Sequence, residues 1–141
     1  MLRSVDLKDY MLHDPVRVRV DDDVFEAIHR ILLNKISGVC VVDEDDNLVG
    51  VLSEMDCLNA ILSAVYNEAM YAGPVKQFMT TEIMSVGISD NIIDVASEML
   101  KHKQRRRPVI DNEGRLVGQV TCRQILRAVK EFSGSVDVKE H

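Results

Sequence analysis

The sequence predicts an α+β fold of two tandem β-α-β-β-α repeats packed about a pseudo-twofold axis. Three observations carry that expectation. The chain matches itself when slid by 68 residues, without a gap from residue 7 to residue 62. Short runs such as Val16, Val18 and Val20 alternate apolar with polar positions, the period of a half-buried strand. Other apolar residues recur three and four apart, the period of an amphipathic helix.

The repetition is read in particular pairs. Lys8-Asp9-Tyr10-Met11 falls on Lys76-Gln77-Phe78-Met79, Val41-Val42-Asp43 on Val109-Ile110-Asp111, and Leu48-Val49-Gly50 on Leu116-Val117-Gly118. Register held across several elements marks a duplication. A first repeat over 1–72, a second over 73–132 and a frayed polar tail over 133–141 follow, with Gly73-Pro74 breaking the chain between copies.

Each copy opens with a short amphipathic turn (7–11; 75–79) and a strand (16–20; 84–88). Asp21–Asp23 and Ser89-Asp90-Asn91 supply N-cap chemistry for helices over 24–34 and 92–102. Val24, Ala27, Ile28, Ile31 and Leu32 form one apolar stripe, and Ile92, Val95, Ala96, Met99 and Leu100 the other. A hairpin comes next (39–42 with 48–52; 109–110 with 116–120), its loops rich in turn formers. A second helix closes each copy, over 54–71 and 122–132. A single copy leaves a sheet face and two helix faces half covered and would be marginal, so two are expected to cover one another.

Composition bounds the function. Apolar residues are 46% and charged residues 28%, the balance of a soluble globular chain. There is no Trp and aromatics are 4%, so Val, Ile, Leu and Met fill the core. The net charge of −6 argues against a nucleic-acid partner, which needs a basic surface to displace counterions. No apolar run reaches the roughly 18 residues of a membrane span, and the N-terminus lacks a signal-peptide pattern. Three cysteines in no CxxC pattern fit a reducing cytoplasm better than a disulfide framework or a zinc site.

The pattern resembles the CBS domain pair from about Val5 to Phe132. The resemblance is carried by His13-Asp14-Pro15 before the first strand, Ser53-Glu54-Met55-Asp56 at a strand end, Pro108-Val109-Ile110-Asp111, and the two Leu-Val-Gly segments. Cys40 departs from it, standing where the second copy has Pro108. The resemblance implies a regulatory, non-catalytic module. It would bind AMP, ADP, ATP or another adenosine-containing nucleotide in the cleft between two CBS repeats, with no cofactor required. It also implies pairing into disc-like homodimers.

Two motifs then compete for meaning. Ser53-x-x-Asp56 reads as a capping box, and on the motif alone that reading is favoured. The resemblance gives the same residues to a ribose, whose two hydroxyls suit a carboxylate acceptor. The second copy has Thr121 and Gln124, able to cap but not to supply a carboxylate, so one good nucleotide site is expected. Lys101 and Lys103 end a helix, where cations favour the dipole. Arg105-Arg106-Arg107 instead repel one another in the link to a strand, at the positions of Ser37, Gly38 and Val39, and an anion would relieve them. By resemblance, Arg105, Arg106 and Arg123 are the phosphate ligands, and Pro15, Val16 and Val51 line the adenine.

No catalytic set emerges. The four histidines show no HxH or HExxH spacing, and the acidic runs 21–23 and 43–46 lack EF-hand spacing, so no metal is assigned. The expected partners are an adenosyl nucleotide, an unknown effector protein and a second copy of the chain. The homodimer would form through the helices, since Leu58, Ala60, Ile61, Leu62, Ala64 and Val65 spread over more than one helix face. The alternative is a protein-interaction scaffold with a vestigial nucleotide site.

Overall fold

Side-chain caps set where the helices begin. In a computed structural model, which describes residue 2 and residues 4–132, the Phe25 N–H donates to Asp23 Oδ1 (2.9 Å) and opens α1 (Val24–Asn34). The Ile93 N–H donates to Asn91 Oδ1 (2.7 Å) and opens α3 (Ile92–Lys101). Lys35 closes α1 in the left-handed region (φ 54°), its N–H reaching the Ile31 and Leu32 carbonyls. The expected tail at 133–141 lies outside the described residues.

The remaining elements are β1 (Leu12–His13), β2 (Arg17–Arg19), β3 (Gly38–Val42), β4 (Leu48–Ser53), α2 (Glu54–Tyr66), β5 (Val86–Gly87), β6 (Arg106–Ile110), β7 (Leu116–Thr121) and α4 (Cys122–Phe132). Two departures from expectation are local. Helix α2 stops at Tyr66 rather than Tyr71: Asn67 turns its N–H back to the Ser63 and Val65 carbonyls, and Glu68 takes a left-handed φ of 52°. The strand expected over 84–88 is only Val86–Gly87, and at its end Asp90 Oδ2 accepts the Gly87 N–H (2.8 Å) and starts the turn. Strand β1 was not expected at all.

The described chain divides into two units that do not follow the repeat boundaries. Unit I holds Val16–Ile83 and Gly114–Leu116. Its sheet runs β2-β3-β4, with β2 parallel and β4 antiparallel to β3. Val18, Val24, Ala27, Ile31, Val39, Val41, Leu52, Cys57 and Ala60 form its core, together with Val75 from a 3-10 turn at Val75–Gln77. That turn belongs to the second copy in sequence. It is held by the Val75 N–H on the Asp22 carbonyl (2.8 Å) and the Lys76 N–H on the Val20 carbonyl (3.0 Å). Thr80 then forms a two-bond bridge with Val51.

Unit II holds the described residues up to Pro15, then Met84–Glu113, then those from Val117 onward. The four-stranded sheet runs β1-β7-β6-β5. Its core takes Leu7, Tyr10 and Met11 from the first copy's opening turn and Val86, Ile92, Val95, Met99, Val109, Val120 and Ala128 from the second copy. Tyr10 meets Phe132 edge to face, centroids 5.6 Å apart, and donates its hydroxyl to the Ser4 carbonyl (2.6 Å). Each unit thus pairs the body of one copy with the opening segment of the other.

Candidate functional site

At the start of α2 the ambiguous motif forms a complete capping box. The Asp56 N–H donates to Ser53 Oγ (3.1 Å), and the Ser53 N–H donates to Asp56 Oδ2 (2.9 Å). The cap engages one carboxylate oxygen. Asp56 Oδ1 accepts no hydrogen bond from the described residues, and the side chain is only partly buried. The capping box therefore leaves Oδ1 open to another donor. At the start of α4 the Gln124 N–H donates to Thr121 Oγ1 (3.0 Å), so capping serves both copies while the carboxylate belongs to the first.

Val16 and Val51 share unit I with this motif. Val16 packs against the unit I core, and Val51 lies half-buried in β4. Both backbone groups of Val51 are spent on Thr80, N–H to carbonyl at 3.0 Å and carbonyl from N–H at 2.9 Å. Val51 can offer an adenine its side chain and the second lone pair of its carbonyl, but not its N–H. Pro15 is buried at the end of unit II's first segment.

Unit II carries the basic residues. Arg105 is exposed, and its carbonyl accepts the Cys122 N–H (2.9 Å), which fastens the lead-in of β6 to the first turn of α4. The exposed Arg123 follows directly, so Arg105 and Arg123 belong to adjoining backbone. Arg106 opens β6 half-buried. Strand alternation puts Arg107 on the opposite face, with Val109, inside the core side of the sheet. Arg107 thus parts from Arg105 and Arg106, and the signal for this in the sequence is the 68-residue offset, which pairs it with the core residue Val39.

The acidic runs are engaged locally. Asp43 accepts the Asn47 and Asp45 N–H groups (3.0 and 2.9 Å) and the Asn47 side-chain amide (3.1 Å), which holds its carboxyl below the usual carboxylate range. Asp46 is paired with Arg17 at 2.8 Å. Among the described residues no group of three or more His, Cys, Asp or Glu is placed to hold a metal ion. Burial pushes the Cys57 thiol up, with the Asp56 charge adding to it, which leaves that sulfur a poor nucleophile. No described helix is long and apolar enough to cross a membrane.

Known proteins resemble this chain along most of its length. Inosine-5'-monophosphate dehydrogenase of Aquifex aeolicus is 36% identical over 121 residues, which is 85% of this chain but 24% of the relative. The chain spans about a quarter of the length of the curated dehydrogenases it matches. The crystal structure of CBSX2 from Arabidopsis thaliana in complex with AMP superposes with a TM-score of 0.78 at 29% identity, covering 92% of this chain and 98% of that one. The CBS domain pair of protein MJ0100, crystallised with 5'-methylthioadenosine and S-adenosyl-L-methionine, gives a TM-score of 0.68 at 25% identity, covering 88% of this chain and 97% of that one. The CBS domain model matches twice, over residues 7–63 and 75–131, and the chain belongs to the CBS domain family.

Proposed function

We propose that this chain is a regulatory module that binds an adenosine-containing nucleotide and does not turn it over. One observation carries the reading: Asp56 keeps a carboxylate oxygen without a hydrogen bond from the described residues after its capping duty, at the motif where a ribose would be taken. The complexes of CBSX2 with AMP and of MJ0100 with adenosyl ligands support the ligand class. Ser53 and Asp56 take the ribose, Arg105, Arg106 and Arg123 the phosphates, and the side chains of Pro15, Val16 and Val51 the adenine. Gln124 leaves the second copy without the equivalent carboxylate, so one nucleotide binds per chain. An effector protein receives the signal in a reducing cytoplasm, consistent with three free thiols at Cys40, Cys57 and Cys122.

A homodimer through the helices belongs to the same proposal. Met55, Leu58, Leu62, Val65 and Tyr66 of α2 are exposed, Met55 to 77%, and a second copy would cover them. Light scattering that gives a dimer for the chain and a monomer for Leu58→Glu supports it. A monomer throughout removes it.

Calorimetric titration with AMP, ADP and ATP tests the nucleotide reading. One saturable site is expected, weakened in Asp56→Asn for all three and in Arg105→Ala most for ATP. Absence of binding at millimolar nucleotide, with no rise in melting temperature, would favour the interaction scaffold with a vestigial site.

A further inference from the structure

Arg107 is the buried charged side chain of the described core, 6% exposed. The fold does not require a cation there, because Val39 fills the equivalent position in unit I. The guanidinium is also only partly satisfied. Nε donates to Gln104 Oε1 (2.8 Å), while Nη2 is buried without an acceptor. A buried donor lacking a partner forfeits the hydrogen bonds it makes in water, so such a group in a folded chain needs an explanation.

Nη2 is itself closed to solvent, whereas the side chain as a whole borders open space. Arg107 lines a cavity of about 310 Å³ in unit II, shared with Ser85, Asn91, Asp94 and Glu98. That volume is at the small end of ligand pockets, which run roughly 300–1,000 Å³. Its charges are of both signs. Asp94 and Glu98 stand four apart on α3 and so share a face. The Asp94 carboxylate has no hydrogen bond or ion pair among the described residues, whereas that of Glu98 is shared with His102 at 3.3 Å. Asp90 also borders the cavity, but its carboxylate accepts the Gly87 N–H. A simple anion would meet three carboxylates, and a simple cation would meet the guanidinium. The lining is satisfied by a molecule that carries an anionic acceptor and a cationic donor a few bonds apart.

We propose that this cavity binds a small zwitterion of the α-amino acid type, its carboxylate on Arg107 and its ammonium on Asp94 and Glu98. The site lies within unit II and is independent of the nucleotide reading.

Thermal denaturation with each common L-amino acid at millimolar concentration tests it, with propionate and propylamine as probes that lack one charge each. A melting-temperature rise is expected for one or a few amino acids and for neither single-charge probe. The rise should vanish in Arg107→Leu, whose fold is checked by circular dichroism, and calorimetry should show affinity at least about tenfold weaker in Asp94→Asn, a change on the exposed face of α3. The proposal is overturned if no amino acid raises the melting temperature, if propionate or propylamine alone does so equally well, or if the effect survives undiminished in either variant.

Discussion

The Met79 sulfur lies against Gly50 so closely that a Cβ on the glycine would stand 2.5 Å from it. Gly118 stands in the same relation to Met11, at 2.8 Å, with the Leu12 carbonyl oxygen at 3.0 Å. The two Leu-Val-Gly segments and the two methionines are thus one device used twice: the glycine of each copy admits the methionine of the other copy's opening segment. Adding a methyl at Gly118 forces the β1–β7 backbone apart, because the Leu12 carbonyl cannot rotate away as a side chain can. Gly118→Ala should cost about 1–3 kcal/mol, in the range of overpacked sites. Gly50→Ala should cost less, since the nearest atoms are on the flexible Met79 side chain and the Thr80 carbonyl is farther, at 3.2 Å. Urea midpoints for the two variants decide this; equal midpoints would contradict the backbone argument.

The same contact shows what the sequence could and could not disclose. The boundaries of α1, with its apolar stripe and its Asp23 cap, follow from periodicity and capping chemistry, and Val24–Asn34 is where those rules put it. Periodicity says which face of an element is buried but not which copy buries it, so the pairing of Leu7–Met11 with the second copy's core was not legible. Strand β1 has two residues, too few to show an alternation, and exists through its pairing of Leu12 with Gln119. The CBS family itself was legible from the duplicated motifs. At the candidate site, Ser53 and Asp56 were legible as a motif with two meanings. Only the geometry showed that the cap takes Oδ2 and leaves Oδ1 without a hydrogen bond from the described residues.

That separation makes the two meanings independently measurable. Ser53→Ala removes the cap and should cost about 0.5–2 kcal/mol of stability. Asp56→Asn keeps an oxygen able to accept the Ser53 N–H and should leave the urea midpoint nearly unchanged. It removes the charge that the proposed function gives to a ribose, and charged hydrogen bonds contribute about 1.5–3 kcal/mol, so on that proposal nucleotide affinity should fall roughly tenfold to a hundredfold. A variant that loses stability and affinity in proportion would mean that Asp56 acts only as a cap.

Gln104 provides the acceptor that Arg107 Nε uses, and the pair can be examined by a double-mutant cycle. Gln104→Ala strands a second nitrogen of a buried guanidinium and should cost about 1–3 kcal/mol. In an Arg107→Leu background the same change should cost little, because the donor is gone. Arg107→Leu alone should be neutral or stabilising without ligand, as removal of a poorly satisfied buried charge in favour of an aliphatic side chain often is. Additive costs for the two changes would show that Gln104 stabilises the lead-in of β6 for another reason, such as its reach to the Met84 sulfur.

The β3–β4 turn carries a pH dependence whose sign is fixed by Asp43. Its carboxylate is lowered first by the Asn47 N–H, then by the Asn47 side-chain amide, and less by the Asp45 N–H and the charge of Arg19. A carboxyl whose folded pKa lies below its unfolded one contributes stability above the unfolded value, and that contribution is lost as pH falls through the folded value. Carbon-detected NMR titration should therefore find Asp43 titrating below the reference of about 3.9, with the turn amides of Asp45 and Asn47 shifting alongside it. Asn47→Ala removes the side-chain donor but keeps the backbone one, the larger cause, so the Asp43 midpoint should move only part of the way back. A full return to the reference value in that variant would mean that the side-chain amide, not the backbone, holds the turn.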